Sequence, residues 1–305
     1  MIGHDEAGQD VVLDSDKLLG THLAIIGNTG SGKTHTVRKV LEQLWGKGVQ
    51  IIIDPEQEFH TLRQLHPYVI VGGPYADMLR PRSAKTLVDW ILKTKTSVII
   101  QFDDTEHLDQ QREFIASFLN AMMTVPRALW QPAFVVLDEA HRYAPQSGPA
   151  GSSRRAICTL MSQGRKRGFT GILCTQRLAK ITKDATGECN TWLVGRVGQV
   201  LDRNAAANNL GFPLKSDEAL GLRDLDPGQF WGFGVALGNK PTLIQVAATA
   251  SQHLKLGERF TPTPLPEAIK LPYGLSPAGR LRVGYAVASF LIAIVCGLAL
   301  IPHML

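Results

Sequence analysis

The chain has 305 residues, enough for one sizeable α/β domain with a full core and an appendage. Hydrophobic residues make up 44% and charged residues 19%, which excludes a disordered, solvating chain, while the formal net charge of +5 permits an anionic partner without identifying one. The four cysteines, Cys158, Cys174, Cys189 and Cys296, form no CxxC pair, which argues for reduced thiols and against a zinc site or a disulfide framework. Residues 1–6 carry neither a basic flank nor an apolar run, so no signal peptide is expected.

In chain order, residues 1–20 read as a short strand pair. His22–Ile26 reads as a strand, and Lys33–Trp45 as an amphipathic helix with Val37, Val40, Leu41 and Leu44 on one face. Val49–Ile53 is an apolar strand ending at Asp54, and Tyr68–Val71 a short one. Helical patterns over Ser83–Leu92 and Glu106–Met123 flank a strand at Ser97–Phe102. Phe134–Leu137 is a further strand, Gln146–Ser153 a loop, Arg154–Ser162 a helix and Gly171–Thr175 a strand, followed by strand patterns at Thr191–Val197 and Phe230–Val235. Apolar strands separated by helices predict an α/β fold with a mostly parallel sheet covered on both faces. Five prolines between residues 257 and 282 predict a linker, separating an α/β domain over residues 1–256 from an apolar tail.

Gly27-Asn28-Thr29-Gly30-Ser31-Gly32-Lys33-Thr34 fits the phosphate-loop pattern GxxxxGK[ST], with a strand before it and a helix after it. In such a loop the glycines let backbone N–H groups turn toward phosphate, and the helix adds its positive end. Lys33 is expected to reach the β- and γ-phosphates of ATP, and the Thr34 hydroxyl to ligate Mg²⁺. The strand Phe134–Leu137 runs into Asp138 and Glu139, the Walker B arrangement. There Asp138 holds Mg²⁺ and Glu139 accepts a proton from the attacking water. Adjacent acids at the end of a buried strand are costly unless they have such work.

Asp54 and Glu58 follow a neighbouring strand, whose end faces the ligand crevice. They read either as orienting water or Mg²⁺, or as a pair of loop acids capping a helix. Gln176, after Gly171–Thr175, reads as a γ-phosphate or lytic-water contact, or as an ordinary loop residue. Between Gly151 and Lys183 lie eight Lys or Arg and no acid: Arg154, Arg155, Arg165, Lys166, Arg167, Arg177, Lys180 and Lys183. They fit an arginine finger, a track for a nucleic-acid backbone, or a solvated basic face. Residues 283–302 contain no charge and span ~30 Å as a helix, the thickness of a bilayer core. Arg280 and Arg282 precede them, which predicts a single-pass C-terminal anchor with the large domain on the cytoplasmic side. A buried core helix or a partner-binding tail is the alternative.

Taken together, the motifs resemble the HerA/FtsK superfamily of DNA-pumping ATPases, on the HerA-like side, over roughly residues 10–250. The resemblance rests on the strand and phosphate loop, on Asp54-Pro55-Glu56-Gln57-Glu58-Phe59, on Asp138 through Pro145, on Gly164-Arg165-Lys166-Arg167-Gly168, on Thr175-Gln176-Arg177 and on Gly228-Gln229-Phe230. Gln57 stands where the family pattern has Gly. The resemblance implies a RecA-like sheet, a homo-oligomeric ring of six subunits with ATP between them, and double-stranded DNA through the centre. By the same resemblance Arg165 is the first choice for a finger acting on a neighbouring subunit, and Arg196 the second. Only ~20 residues precede the phosphate-loop strand, so the β-barrel domain of HerA is not expected; the chain is more similar to the smaller packaging ATPases of membrane-containing viruses. The expected function is a membrane-tethered ATP-driven motor on double-stranded DNA, working with a channel or portal protein. The alternative is a secretion or assembly ATPase that moves protein. No NKxD motif is present, which argues against a GTPase.

Overall fold

The computed structural model describes residues 1–149, 151–252 and 260–272. Eleven strands form one sheet: β1 (Gly3–Asp5), β2 (Asp10–Val11), β3 (Leu23–Ile26), β4 (Val49–Asp54), β5 (Val69–Val71), β6 (Val98–Gln101), β7 (Ala133–Leu137), β8 (Phe169–Thr175), β9 (Thr191–Val194), β10 (Gln229–Gly234) and β11 (Gly238–Val246). Their order is β2-β1-β11-β10-β9-β3-β8-β7-β4-β6-β5. The run from β9 to β5 is parallel throughout, and the four strands on the other edge pair antiparallel.

The helices are α1 (Ser15–Leu18), α2 (Lys33–Leu44), α3 (Ala84–Thr94), α4 (Leu108–Met123), α5 (Gly151–Gln163), α6 (Lys183–Thr186), α7 (Val200–Leu210) and α8 (Asp217–Gly221). The central strands are buried on both faces, and their alternate residues enter two cores. Leu23, Ile25, Ile52, Phe134 and Val136 meet Val37, Val40, Leu41 and Leu44 of α2. Ala24, Ile26, Ile51, Ile53, Val135 and Leu137 meet the apolar sides of α3, α4 and α5. This is the mixed α/β fold with a mostly parallel sheet that the sequence predicts.

Three expectations are corrected. Helix α5 begins at Gly151, so the segment predicted as a loop to Ser153 is helical in its last three residues. The last strand pattern is one arm of a hairpin whose other arm, β11, the sequence does not announce. In the proline-rich stretch, residues 260–272 are packed on the domain rather than free. Phe260 is buried, Leu265, Ile269 and Leu271 rest on the core, and Trp90 Nε1 donates to the Lys270 carbonyl at 3.1 Å. The predicted membrane helix, residues 283–302, lies outside the described residues; among those described, no helix is long and apolar enough to cross a bilayer.

His22, just before β3, is 2% exposed and accepts the Gly171 N–H on Nδ1 at 2.8 Å. Burial, with the charge of Arg165 adding to it, pushes this imidazole from 6.5 down to about 4. A depressed histidine contributes stability above its unfolded pKa and loses it as pH falls toward the folded one. Between neutrality and about pH 5 the fold should lose about 2 kcal/mol through His22. Buried Asp54, raised to about 6, has the opposite sign in the same window, so the net curve is shallower. A His22→Asn variant, whose amide oxygen keeps an acceptor for Gly171, isolates the histidine. On going from about pH 7 to pH 5 its urea midpoint should rise relative to that of the parent, because the opposing contribution of Asp54 is then left on its own.

Candidate active site

The site lies where the parallel strands end. After Ile26 the chain turns sharply: Gly27 N donates to Thr175 O at 3.3 Å, Asn28 N to Arg196 O at 2.9 Å and Ser31 N to Asn28 O at 3.0 Å. A Cβ on Gly27 would lie 2.4 Å from Ser31 Oγ, and Gly32 holds φ at +89° against Gly228 N, so neither position admits a side chain without distortion. Gly228 N donates to Ser31 O at 2.9 Å, so the Gly228-Gln229-Phe230 segment braces the loop from behind. The twelve-residue helix α2 starts at Lys33 and presents its N-terminus to the loop.

Lys33 Nζ lies 2.5 Å from Asp138 Oδ1 and 3.0 Å from Glu139 Oε1, with all three side chains buried. Burial pulls the ammonium down, but the two carboxylates outweigh it and hold Lys33 above its ordinary pKa. Burial pushes Asp138 up in spite of Lys33, so its charge is not fully compensated. Ser31 Oγ and Asp138 Oδ2 are buried without a hydrogen-bond partner among the described residues. Glu139 sits in the left-handed region at φ +48°, a costly conformation for a residue with a side chain. Burial opposes its ionisation, yet His141, Lys33 and Gln176 hold it down at about 2.

Gln176 bridges the two halves: its Nε2 donates to Glu139 Oε1 at 2.8 Å, and its Oε1 accepts from Thr29 Oγ1 at 2.7 Å. Thr34 Oγ1 donates to Glu58 Oε2 at 2.6 Å. Lys33, Thr34, Glu58, Asp138, Glu139 and Gln176, scattered over 144 positions of sequence, thus meet at the C-terminal ends of the central strands. His141, which sequence reasoning left without a role, has Nδ1 3.2 Å from Glu139 Oε2 and 3.0 Å from Thr175 Oγ1. Its only signal was its place two residues after the acid pair.

Other predicted residues lie differently. Asp54 is fully buried and spends both oxygens within the protein, on Glu58 N (2.9 Å), Phe59 N (3.0 Å) and Gln101 Nε2 (2.8 Å). It caps the turn and is not free to orient water or metal. Gln57 keeps the left-handed conformation, φ +56°, that glycine would take, and its amide donates to Phe102 O at 2.9 Å. Arg196 Nη2 donates to Gly30 O at 3.2 Å, so it stands beside the phosphate loop of its own chain.

Arg165 is exposed and precedes β8, whereas Gln176 follows it. Seven residues of strand put the two ~20 Å apart, so Arg165 cannot reach the phosphates of its own chain. The same strand divides the basic stretch. Arg165, Lys166 and Arg167 lie at one end. Arg177, Lys180 and Lys183 lie at the other, near Arg154 and Arg155, because the loops after β7 and β8 are stapled together. Gln146 N donates to Lys180 O at 2.7 Å, Thr182 N to Ala144 O at 2.8 Å and Lys183 N to Gln146 Oε1 at 2.9 Å.

The family profile described as "Helicase HerA, central domain" matches residues 1–85, and that of "Zonular occludens toxin (Zot)" residues 80–193. The chain is 29% identical over 124 residues to the DNA double-strand break repair helicase HerA of Pyrococcus furiosus, a match spanning 39% of this chain and 21% of that protein. In fold it is similar to VirB4 of Thermoanaerobacter pseudethanolicus, with a TM-score of 0.57 at 15% identity over 82% of this chain and 96% of that one. It is also similar to the genome packaging NTPase of Sulfolobus turreted icosahedral virus 2 in complex with sulfate, with a TM-score of 0.51 at 12% identity over 74% and 97% of the two chains. The chain thus combines a glycine-built phosphate loop braced from behind with a lysine set against two buried acids at the adjoining strand end, and over the matched residues it is similar to P-loop ATPases of the HerA/FtsK type.

Proposed function

We propose that the chain is an ATP-hydrolysing motor that moves along double-stranded DNA. The observation that carries this reading is mechanical. The segment after Glu139 leads into α5, which carries Arg154 and Arg155, the segment after Gln176 leads through Lys180 to Lys183, and hydrogen bonds staple the two segments to each other. A change at the phosphates thereby reaches side chains suited to a phosphodiester backbone, which needs cations and no base-specific geometry. The names of the relatives, a repair helicase and a genome packaging NTPase, favour the same substrate.

In this reading Lys33 and the loop amides from Gly27 to Thr34 hold the nucleotide. Glu139 takes a proton from the lytic water, with Gln176 between it and the loop. Thr34, Glu58 and Asp138 offer hard oxygen ligands, and the unpartnered Asp138 Oδ2 and the raised pKa of that acid fit a missing cation. Magnesium, when bound there, supplies charge neutralisation of the β- and γ-phosphate oxygens. Arg196 serves the nucleotide of its own subunit. Arg165, too far to act at home, serves the next subunit of a ring of six. The apolar residues 283–302 tether that ring to a membrane, with the motor domain on the cytoplasmic side.

The test is hydrolysis with and without duplex DNA at low salt. DNA should raise turnover, and Arg154→Ala/Lys180→Ala together should remove most of that stimulation while leaving the DNA-free rate in place. If duplex DNA leaves the rate unchanged and a protein substrate raises it, the motor moves protein.

A further inference from the structure

Helix α2 carries a ladder at i, i+4 spacing behind the phosphate loop: Thr34, Arg38 and Glu42. Thr34 Oγ1 meets the Glu58 carboxylate. One turn on, Arg38 is 1% exposed. Its Nη2 donates to the Glu58 carbonyl, and its Nη1 to Thr61 Oγ1 at 2.6 Å and, at 3.4 Å each, to Ser251 Oγ and the Gln252 carbonyl. Another turn on, Glu42 accepts from Ala250 N at 3.0 Å and from both Ser251 N and Ser251 Oγ at 2.8 Å. His35 and Lys39 add contacts to the carbonyls of Ala247 and Ala248, each at 3.0 Å. The strap of residues 247–252, which leaves β11, is thereby laced along α2.

The Glu58 peptide is fixed on both sides. Its N–H is taken by the Asp54 carboxylate, and its carbonyl by the Arg38 guanidinium, both deeply buried. None of the ion pairs among the described residues includes Arg38; its charge is balanced at longer range by Asp54, Glu58 and Glu42. Burying a guanidinium among carbonyls and hydroxyls is costly, and an aliphatic side chain would fill a helix interior more cheaply. What Arg38 supplies that an aliphatic chain cannot is a fixed direction for Glu58 through Nη2 and a contact with the strap through Nη1 of the same guanidinium.

We propose that Arg38 is a positioning residue that aims Glu58 at the Thr34 hydroxyl, and that the strap 247–252, gripped by Glu42, sets the position of Arg38. The strap thereby governs the divalent-cation side of the nucleotide site. This rests on the reading that Thr34 and Glu58 line that side.

The experiment uses the full chain and Mn²⁺ as a probe, its affinity measured by electron paramagnetic resonance in the presence of a non-hydrolysable ATP analogue. Hydrogen exchange of residues 54–61 is read in parallel without nucleotide. Arg38→Met should weaken Mn²⁺ binding about tenfold, Arg38→Lys less, with metal-free analogue affinity unchanged. Glu42→Ala, outside the site, should weaken Mn²⁺ binding several-fold and speed exchange of residues 54–61. If Arg38→Met does not fold, Arg38→Lys and Glu42→Ala decide. Wild-type Mn²⁺ affinity in the folded Arg38 variants, or unchanged exchange in Glu42→Ala, overturns the proposal. Thr34→Ala and Glu58→Gln separate the two levels. If they leave Mn²⁺ affinity intact, the underlying reading of the site falls and this one with it. If they weaken it while the Arg38 and Glu42 variants do not, only the positioning role fails.

Discussion

Replacing Lys33 with methionine should lower ATP turnover by about 10³-fold or more and lower the melting temperature of the nucleotide-free protein as well. Both effects come from one ammonium. In the resting site it compensates the buried carboxylates of Asp138 and Glu139 at 2.5 and 3.0 Å. Without it two buried charges stand uncompensated, at a cost of about 3–5 kcal/mol, or roughly 10 °C in a domain of this size. In the proposed mechanism the same group, with nucleotide present, is the mobile cation for the γ-phosphate. A second change separates the roles. Lys33→Met/Asp138→Asn should recover part of the lost melting temperature in calorimetry and none of the phosphate release. Hydrolysis by Lys33→Met within tenfold of the parent would remove the catalytic reading of this cluster.

Glu139→Gln should keep ATP binding within a few-fold and reduce hydrolysis by about 10²–10⁴-fold, measured as single-turnover phosphate release against equilibrium nucleotide affinity. The amide keeps the shape and an acceptor oxygen for Lys33, but it cannot take a proton from water. The resting site shows why nucleotide is needed first. A carboxylate held at about 2 by His141, Lys33 and Gln176 is a poor base. Phosphates that draw Lys33 away relieve part of that hold and make Glu139 more basic. His141→Ala, which removes a second donor, should therefore shift the acidic limb of kcat to higher pH, provided that limb reports Glu139.

The parts of this site that were legible in the sequence are those where local rules and tertiary need agree. Gly27–Thr34 combines a strand, a loop of forced glycines and an amphipathic helix, and Phe134–Glu139 joins a buried apolar run to two acids that cannot be there for packing. What was not legible depends on the third dimension. The eight basic residues fall in one acid-free stretch of sequence, but β8 runs through it and sends them to opposite ends of the strand. Arg38 reads as one more charged residue on a helix surface, because nothing local shows that the strap and the turn after β4 close over it. Asp54 looks like a ligand at a strand end until its two oxygens are found occupied. β11 opens with Gly, Asn, Lys and Pro, which signal a loop, and only pairing with β10 and β1 extends it. α7 was missed because Val200 and Leu201 are exposed while small Ala206 and Ala207 face the core, the reverse of the usual size pattern.

Strand β8 has neighbours hydrogen-bonded along both sides, so it can neither stretch nor slide. The span between Arg165 and Gln176 is therefore a constant of the molecule. A subunit that offers Arg165 to a neighbour's phosphates also fixes how far its own Gln176 stands from that neighbour. In the proposed ring, two adjoining sites would then be linked through β8 as gears are through a shaft, so that moving one subunit as a whole would shift both.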